Sequence, residues 1–569
     1  MGKPQPTETD RYTSEIIANA LVAAGDEMFG ALRRSSMSPI IYEALDYSVG
    51  ITDANGELIS QGVGTTVFLG MIDSLVKDII AKFGDGCIRP GDVFISNDTY
   101  AGGSTHLSDI AIVSPVFYEG ILIAFTVNKA HWTDVGGMAP GSFTTNSTEI
   151  FQEGLQLPFV KIIAQGEKMD GIFDILQANI RFPEASLGDF WAGVAANRVG
   201  ETRILSLVKK YGPEVVVAAM QALLEYGERM TRAELAKLPK GEFHAEDFID
   251  DDGIGGDPIP VSVKLTITDD KFIADFSGAP PQVLAPINCA RHGLVSAARI
   301  IFKAVTNPQI PANSGCFRPL EVICPERTIF TVERPGPCST YWETMLYVKD
   351  LIWKAMAELV PDRLSAGHLL SVCANTMELK HPKTGARTLF VQPLVGGWGA
   401  ANFRDGDRGQ FCIADGETYN IPVEIQELKH GVHIRQYALH NEDGGEGEFR
   451  GGNGCYLDYE ITGEEAYFTG SFIRKKFLPW PCAGGRQGSA NYIHILRADG
   501  TEEKYGKVTR VRLQKGDVVR CVTATGAGWG DPGRRSAAMI KEDLRNGYIT
   551  AAQADRFYRG AGSAGRYAG

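Results

Sequence analysis

Apolar residues in the first part of the chain recur at the three- and four-residue spacing of amphipathic helices. Ile17, Leu21, Met28 and Leu32 fall on one face of a helix predicted over 14–34. The stretch "FLGMIDSLVKDIIAKFGDG" predicts a second helix, which Gly84 can end because glycine readily adopts the left-handed conformation found after helix C-termini. The same spacing predicts helices near 203–238, through 343–359 and through 536–549.

Runs of β-forming residues between the first helices predict two hairpins. "DYSVGITDANGELIS" (46–60) holds two short strands around Asn55-Gly56, a pair that tolerates the positive φ angles of a tight primed turn. Residues 109–117 and 121–128 are also strand-like, and the "YEG" between them supplies a turn. The N-terminal part therefore mixes helices with antiparallel strands.

The pattern along the whole chain predicts an α+β (mixed α/β), multi-domain protein. At 569 residues the chain is too long for one hydrophobic core. An acidic stretch rich in glycine and proline, "AEDFIDDDGIGGDPIP" (245–260), predicts a boundary. We expect an N-terminal α/β domain over 1–244, a mixed α/β middle region over 261–385, and a glycine-rich, β-dominated C-terminal region over 386–569 that ends in a helix.

Composition and charge exclude several classes of partner. The net charge of -13 opposes binding to nucleic acid and to anionic membrane surfaces, and no basic run offsets it locally. No run of about 18 apolar residues could span a bilayer, and the N-terminus lacks the apolar core of a signal peptide. We therefore expect a cytoplasmic protein. The ten cysteines form no Cys-x-x-Cys pair, which favours buried, reduced thiols.

The second hairpin is bracketed by two copies of His-x-x-Asp. They are His106 to Asp109 before it and His131 to Asp134 at its end. Glycine, serine and threonine surround both copies, in "SNDTYAGGSTHLSD" and "TDVGGMAPGS", and allow close approach of the backbone to a ligand. The arrangement predicts that both copies meet at the open end of one hairpin.

The pairing of the two strands decides how closely these side chains approach. With the turn centred on Glu119, simple counting sets Leu107 opposite His131 and Asp109 opposite Lys129. Facing residues in such a ladder have Cβ atoms about 5 Å apart, and diagonal neighbours about 7 Å apart. That spacing is within the reach of a shared metal ion.

The chemistry of these residues suits a mixed nitrogen and oxygen metal site. His106, Asp109 and His131 provide a first shell for zinc, manganese or iron(II), with positions left open for water or substrate. Asp134 is a further ligand or an acceptor that orients a histidine. An ion held there would lower the pKa of a water molecule or polarise a carbonyl group. The alternative is that both histidines are hydrogen-bonded structural residues.

At these residues the sequence resembles the B-type subunit of the hydantoinase/oxoprolinase family. The resemblance covers nearly the whole chain in family order. It is carried by "YEALDYSVGITDANGELISQG", "SNDTYAGGSTHLSDIAIVSPVF", "NKAHWTDVGGMAPGS", "EIFQEGLQLPFVKI", "DFSGAPPQVLAPIN", "IPANSGCFRPLEVICPE", "GEGEFRGGNG" and "GAGWGDP".

The resemblance implies a division of labour between two subunits. An A-type partner binds ATP and phosphorylates the substrate, and the B-type subunit carries the metal site where the activated species is attacked. The family's metal ligands fall on His106, Asp109 and His131. Asp46 matches an acidic position that completes the shell or acts as a base. Because the sequence lacks a Gly-x-x-x-x-Gly-Lys-Ser/Thr loop, a separate ATP-binding subunit is the simpler account.

Three other positions receive roles in this interpretation. Trp132 stands where the family commonly shows a second histidine, so we expect it to line an apolar substrate pocket. We also assign Asn97, in the flank of the first His-x-x-Asp, to substrate binding. Asp134 shares with Asp46 the expected role of handling a proton.

Three functions remain open from the sequence. The favoured one is ATP-dependent hydrolysis of a small cyclic amide, such as a hydantoin, 5-oxoproline or a lactam. The second is ATP-dependent carboxylation of a ketone. The third is a non-catalytic assembly subunit in which a metal ion is purely structural. In each case we expect a hetero-oligomer with an A-type subunit.

Overall fold

A computed structural model describes residues 10–84, 86–413, 415–416 and 418–558. The chain divides into two compact units, each drawn from three separate stretches. Unit 1 comprises Met1–Glu242, Val263–Val348 and Ala414–Ile421, and unit 2 comprises Phe243–Ser262, Lys349–Ile413 and Pro422–Gly569. Two of the divisions, after 242 and after 262, flank the acidic, glycine-rich stretch 245–260. The three consecutive regions expected from composition stay a prediction.

Helices and strands alternate along the described part of the chain. The α-helices are α1 (Arg11–Ser35), α2 (Pro39–Tyr42), α3 (Thr66–Leu69), α4 (Ile72–Phe83), α5 (Asp170–Asn179), α6 (Pro183–Tyr211), α7 (Pro213–Leu235), α8 (Arg291–Thr306), α9 (Trp342–Met356), α10 (Val423–His430), α11 (Ala537–Arg545) and α12 (Ala551–Phe557). Short 3-10 helices cover Pro140–Ser142, Ile150–Gln152, Ser314–Phe317 and Pro532–Arg534.

The strands are β1 (Tyr47–Asp53), β2 (Leu58–Gly64), β3 (Val93–Ser96), β4 (Asp109–Tyr118), β5 (Ile121–His131), β6 (Val160–Ala164), β7 (Glu167–Lys168), β8 (Gly241–Ile249), β9 (Ile259–Ile267), β10 (Phe272–Asp275), β11 (Leu320–Ile323), β12 (Ala374–Lys380), β13 (Arg387–Gln392), β14 (Val432–Leu439), β15 (Cys455–Ile461), β16 (Glu465–Ser471), β17 (Tyr492–Leu496), β18 (Glu502–Tyr505), β19 (Lys507–Gln514) and β20 (Val518–Val522). The mixture of helices with sheets whose strands are mostly antiparallel, with β10 and β11 as a parallel pair, confirms the predicted α+β class.

Unit 1 is built on a seven-stranded antiparallel sheet in the order β2-β1-β5-β4-β3-β6-β7. Both faces are covered, which explains why β4 is apolar in almost every position. Ile110 and Ile112 pack in one hydrophobic cluster with Phe190 of α6. Ala111 and Val113 lie on the other face in a cluster that contains residues of α4. Successive side chains of a strand point to opposite faces, so the two sets alternate.

The helices predicted from apolar spacing are confirmed where that spacing is regular. Helix α1 covers the predicted 14–34, and α4 ends at Gly84, which has a φ of 69°. The first hairpin also forms, but its connection is longer than a two-residue primed turn. Only Gly56 has positive φ there, and the Asp53 carboxylate caps the loop by accepting the N–H groups of Asn55 and Glu57.

The predicted register of the second hairpin is wrong by two residues. Its turn is Glu119-Gly120, both with positive φ, rather than one centred on Glu119 alone. An irregularity next to Val116 then adds one residue to β5. As a result Asp109, not Leu107, lies directly opposite His131.

Unit 2 contains a four-stranded sheet in the order β13-β12-β16-β19 and a five-stranded sheet in the order β14-β15-β20-β17-β18. Its glycine-rich segments pack on each other through the backbone. Gly526 donates its N–H to the carbonyl of Gly452, and a Cβ on Gly452 would lie 1.9 Å from the Asp407 carbonyl oxygen. These glycines permit close approach of chains. In the described ranges no helix has the length and apolar character needed to cross a membrane.

Candidate metal site

Three residues of the paired His-x-x-Asp copies converge at the open end of the β4–β5 hairpin. Asp109 begins β4 and pairs with His131 at the end of β5, while His106 lies in the loop just before β4. One potential ligand atom from each residue lies within 4.8 Å of the others. His106 Nε2 is 3.1 Å from Asp109 Oδ1. All three side chains are buried.

The loop that carries His106 is held by buried polar side chains. The Asn97 amide donates to the carbonyl oxygens of Leu107 (2.8 Å) and Leu155 (2.9 Å) and accepts the Leu157 N–H (2.6 Å). The Ser104 hydroxyl contacts the carbonyl oxygen of His106 at 2.5 Å. Asn97, expected to bind substrate, thus has both ends of its amide engaged in fixing this loop.

Two buried atoms of the cluster make no hydrogen bond in the described part of the chain, although Asp109 Oδ1 lies 3.1 Å from His106 Nε2. Asp109 Oδ1 and His131 Nδ1 have no hydrogen-bond partner among the described residues, although Asp109 Oδ2 accepts the hydroxyl of Thr105. His106 Nδ1 faces the carbonyl oxygen of Ser339 at 3.2 Å, so in the neutral ring the proton lies on Nδ1 and Nε2 keeps a lone pair. Lone pairs on Nε2 and Oδ1 then face each other, an arrangement that a cation between them would stabilise.

The distances fit such a cation. Two ligand atoms at about 2.1 Å from one ion, at right angles, are about 3.0 Å apart, and the 3.1 Å between His106 Nε2 and Asp109 Oδ1 matches this value. Leaving buried polar atoms unpaired costs about 1–3 kcal/mol each. The residues present therefore fit a divalent ion with nitrogen and oxygen ligands.

Asp46 lies beside this cluster. Its backbone carbonyl accepts the His131 N–H at 3.0 Å, and Leu45 before it has a φ of 60°. Its carboxylate accepts the Thr65 hydroxyl at 3.3 Å and is outside the set of mutually close ligand atoms. Burial, followed by the charges of Asp109 and Asp415, raises the pKa of Asp46 well above its ordinary value.

The other charges of the site respond to burial and to each other. Burial acts to raise the pKa of Asp109, but the positive charges of His106, His131 and Lys129 outweigh it, and the pKa is lowered. Burial and the charge of His106 lower the pKa of His131 to about 4. Burial lowers the pKa of Lys129 to about 8, against the attraction of Asp109.

Asp134 is placed apart from the cluster. Its buried carboxylate accepts four hydrogen bonds, from the N–H groups of Gly136 (2.9 Å), Gly141 (3.0 Å) and Arg181 (2.9 Å) and from the Arg181 guanidinium (2.9 Å). Both oxygens are fully engaged by donors. These contacts make Asp134 an anchor for the loop that follows β5.

Trp132 also points away from the cluster. Its side chain packs with Leu107, Ile110 and Leu176 in a hydrophobic cluster on the α6 side of the sheet. His131, one residue earlier, faces the opposite side because side chains alternate at a strand end.

Several neighbours of the site were not predicted. The rings of Tyr341 and Trp342 lie 5.2 and 5.6 Å from the ring of His106. Asp415 lies near enough to affect the pKa of both Asp46 and Tyr341. Lys129 was recognisable as a charged residue in an apolar strand, two positions before His131. The others come from stretches more than 200 residues away, and no motif marks them.

Comparisons with known proteins identify the family of this chain. The family model described as Hydantoinase B/oxoprolinase matches residues 10–532. The B subunit of a putative D-/L-hydantoinase from Pseudomonas sp. (strain NS671) is 30% identical over 560 residues, covering 95% of this chain and 93% of that protein.

Two solved structures share the fold. The crystal structure of ATP-dependent caprolactamase from Pseudomonas jessenii has a TM-score of 0.92 and 29% identity, and covers 99% of this chain and 98% of that one. A nucleotide-free acetone carboxylase has a TM-score of 0.88 over 96% of this chain and 79% of its own; at 17% identity this likeness concerns the fold alone. With the family match spanning almost its full length, the chain belongs to the hydantoinase B/oxoprolinase family.

Proposed function

We propose that this chain is the metal-binding B-type component of an ATP-dependent cyclic-amide hydrolase that opens a hydantoin, 5-oxoproline or lactam ring. The observation that carries the proposal is the buried convergence of His106, Asp109 and His131, with Asp109 Oδ1 and His131 Nδ1 left without a hydrogen bond in the described structure. The caprolactamase and hydantoinase names of similar proteins support the substrate class.

His106 Nε2, Asp109 Oδ1 and His131 Nδ1 are the atoms that would hold a zinc, manganese or iron(II) ion, and we assign Asp46, whose backbone carbonyl accepts the His131 N–H, to complete its shell or to act as a base. Once bound, the ion supplies Lewis-acid chemistry that polarises a carbonyl group and makes water more acidic. Charge supports this assignment, since the charge of Asp109 contributes to the raised pKa of Asp46 and a divalent cation would offset the repulsion between these carboxylates.

The chain's own residues divide the remaining tasks. Asp46 is the group placed to accept a proton at its carboxylate when water adds to the substrate carbon, and the ring nitrogen takes up a proton as the C–N bond breaks. The rings of Tyr341 and Trp342 shield His106 from solvent. We assign ATP binding and substrate phosphorylation to an A-type partner in a hetero-oligomer, consistent with the similar hydantoinase protein being named as a B subunit.

The test is an assay of the complex with its A-type partner. A cyclic amide and ATP should yield the ring-opened acid together with ADP, with a divalent metal bound in proportion to this chain. Asp109→Asn should abolish metal and turnover, because the amide cannot replace an ionised ligand. Asp170→Asn, at an exposed aspartate, is the matched control.

Each alternative has its own outcome. A new carboxylate formed only from a ketone and bicarbonate would replace hydrolysis with the carboxylase function. Full turnover in a folded complex carrying His131→Ala would show that the cluster is a structural metal site in an assembly subunit.

A further inference from the structure

Glu153 is a buried carboxylate that contacts the backbone stretch facing His106. Glu153 follows the 3-10 helix Ile150–Gln152 and is 2% exposed. Its carboxylate accepts the Ser147 hydroxyl at 2.7 Å, the Cys338 N–H at 3.0 Å and the Ser339 N–H at 2.9 Å. A buried carboxylate with three donors fixes the backbone that supplies them. Here that backbone is the stretch leading to Tyr341.

Ser339 is held at every polar group that it offers. Its N–H binds Glu153, and its hydroxyl accepts the Thr144 N–H at 3.0 Å and donates to the Ser142 carbonyl at 3.3 Å. Its own carbonyl oxygen faces His106 Nδ1 at 3.2 Å. The position of this acceptor is therefore set by contacts on all sides.

We propose that Glu153 is a positioning residue for the metal site, which acts through Ser339 to hold His106 in the tautomer protonated on Nδ1. This inference rests on the proposed metal-binding function. With Nδ1–H donated to the Ser339 carbonyl, Nε2 is deprotonated and aimed at Asp109 Oδ1, 3.1 Å away. Acceptors of this kind fix both the ring orientation and the tautomer of a ligating histidine.

The charge of the Glu153 carboxylate strengthens the bonds that it accepts, because hydrogen bonds to an ionised acceptor are stronger than those to a neutral one. All three donors reach Glu153 Oε1, and the Cys338 N–H lies 3.0 Å from Oε2 as well. Glutamine replaces the charged acceptor by a neutral amide oxygen, and its NH₂ group, in the place of Oε2, faces the Cys338 N–H. The anchor of the stretch that carries the Ser339 carbonyl is then weakened, and the acceptor of His106 Nδ1 is held less firmly.

The experiment measures Co²⁺ binding to the apoprotein by titration and by the visible absorption of the bound ion. Glu153→Gln should weaken binding about 10- to 100-fold and change the absorption spectrum. Glu153→Asp, which keeps the charge, should bind Co²⁺ with an affinity between those of the wild type and Glu153→Gln. Glu167→Gln removes the same charge at an exposed position and should match the wild type. Thermal unfolding of each variant reports whether it folds.

The outcomes separate this inference from the proposed function. Wild-type protein that binds no Co²⁺, or binds it equally after Asp109→Asn, overturns the metal site itself. If the wild type binds Co²⁺ and a folded Glu153→Gln variant binds it with the same affinity and spectrum, only the role of Glu153 is overturned. Should Glu153→Gln fail to fold, Glu153→Asp, which withdraws the carboxylate by one methylene, decides: weakened binding supports the inference and unchanged binding overturns it.

Discussion

Replacing Asp134 by asparagine separates a structural from a catalytic role for this residue. The substitution keeps the shape of the side chain but removes its charge. Asp134 Oδ1 accepts the N–H groups of Gly136 and Arg181, and Oδ2 accepts those of Gly141 and the Arg181 guanidinium. Asparagine can keep one oxygen's pair of bonds, and its NH₂ group then faces the other two donors.

The size of the effect follows from these contacts. Hydrogen bonds to a charged group contribute about 1.5–3 kcal/mol each, so losing two costs about 3–6 kcal/mol. The Arg181 side chain is 27% exposed, so water partly solvates its charge after the loss and the lower end applies. We expect a destabilisation of about 3 kcal/mol, which for a unit of this size lowers Tm by about 5 °C or more.

Calorimetry on the wild type, Asp134→Asn and the exposed control Asp170→Asn measures this shift, and Co²⁺ titration of the same samples measures the metal site. A loop anchor gives a lower Tm with Co²⁺ affinity retained in the folded protein. An Asp134→Asn variant with the Tm of the wild type and no turnover would refute this reasoning and return Asp134 to the proton-handling role that its motif suggests.

Three further substitutions test other parts of the structure. Trp132→Phe should lower stability by about 1–2 kcal/mol without changing KM, because the side chain packs in the core; a raised KM at unchanged Tm would contradict this placement. Gly452→Ala should lower Tm, because the added Cβ would lie 1.9 Å from a carbonyl oxygen. The expected destabilisation is about 3 kcal/mol. An unchanged Tm would show that the loops move apart to accommodate the methyl group. Burial lowers the pKa of His430 to about 4 from an ordinary 6.5, so the unfolded chain takes up a proton that the folded protein excludes. Stability should therefore be lost as pH falls from about 6.5 to 4, by about 3 kcal/mol for this residue, and urea unfolding of His430→Phe at pH 7 and pH 4 should show a loss smaller by that amount.

Local patterns predicted the local structure well. The spacing of Ile17, Leu21, Met28 and Leu32 predicted α1 because these residues are its buried face. The β4–β5 hairpin followed from two runs of β-formers around a short turn. The register of its two strands could not be predicted in this way. The extra residue of β5 next to the partner of Val116 does not show in the sequence pattern of β-forming residues. Together with the two-residue turn at Glu119-Gly120, that residue sets Asp109 directly opposite His131.

The sequence by itself determined the mixed helix and sheet class, the hairpin, and the three residues of the candidate metal site. Those residues lie within 26 positions, from 106 to 131, so one hairpin brings them together whatever the rest of the chain does. Only the tertiary structure decided what surrounds them. Glu153, Ser339, Tyr341 and Asp415 reach His106 and Asp46 through long-range packing, and the direction of Asp134 depends on Arg181. Such contacts depend on which distant segments pack against the hairpin. The spacing of residues along the sequence does not show which segments those are.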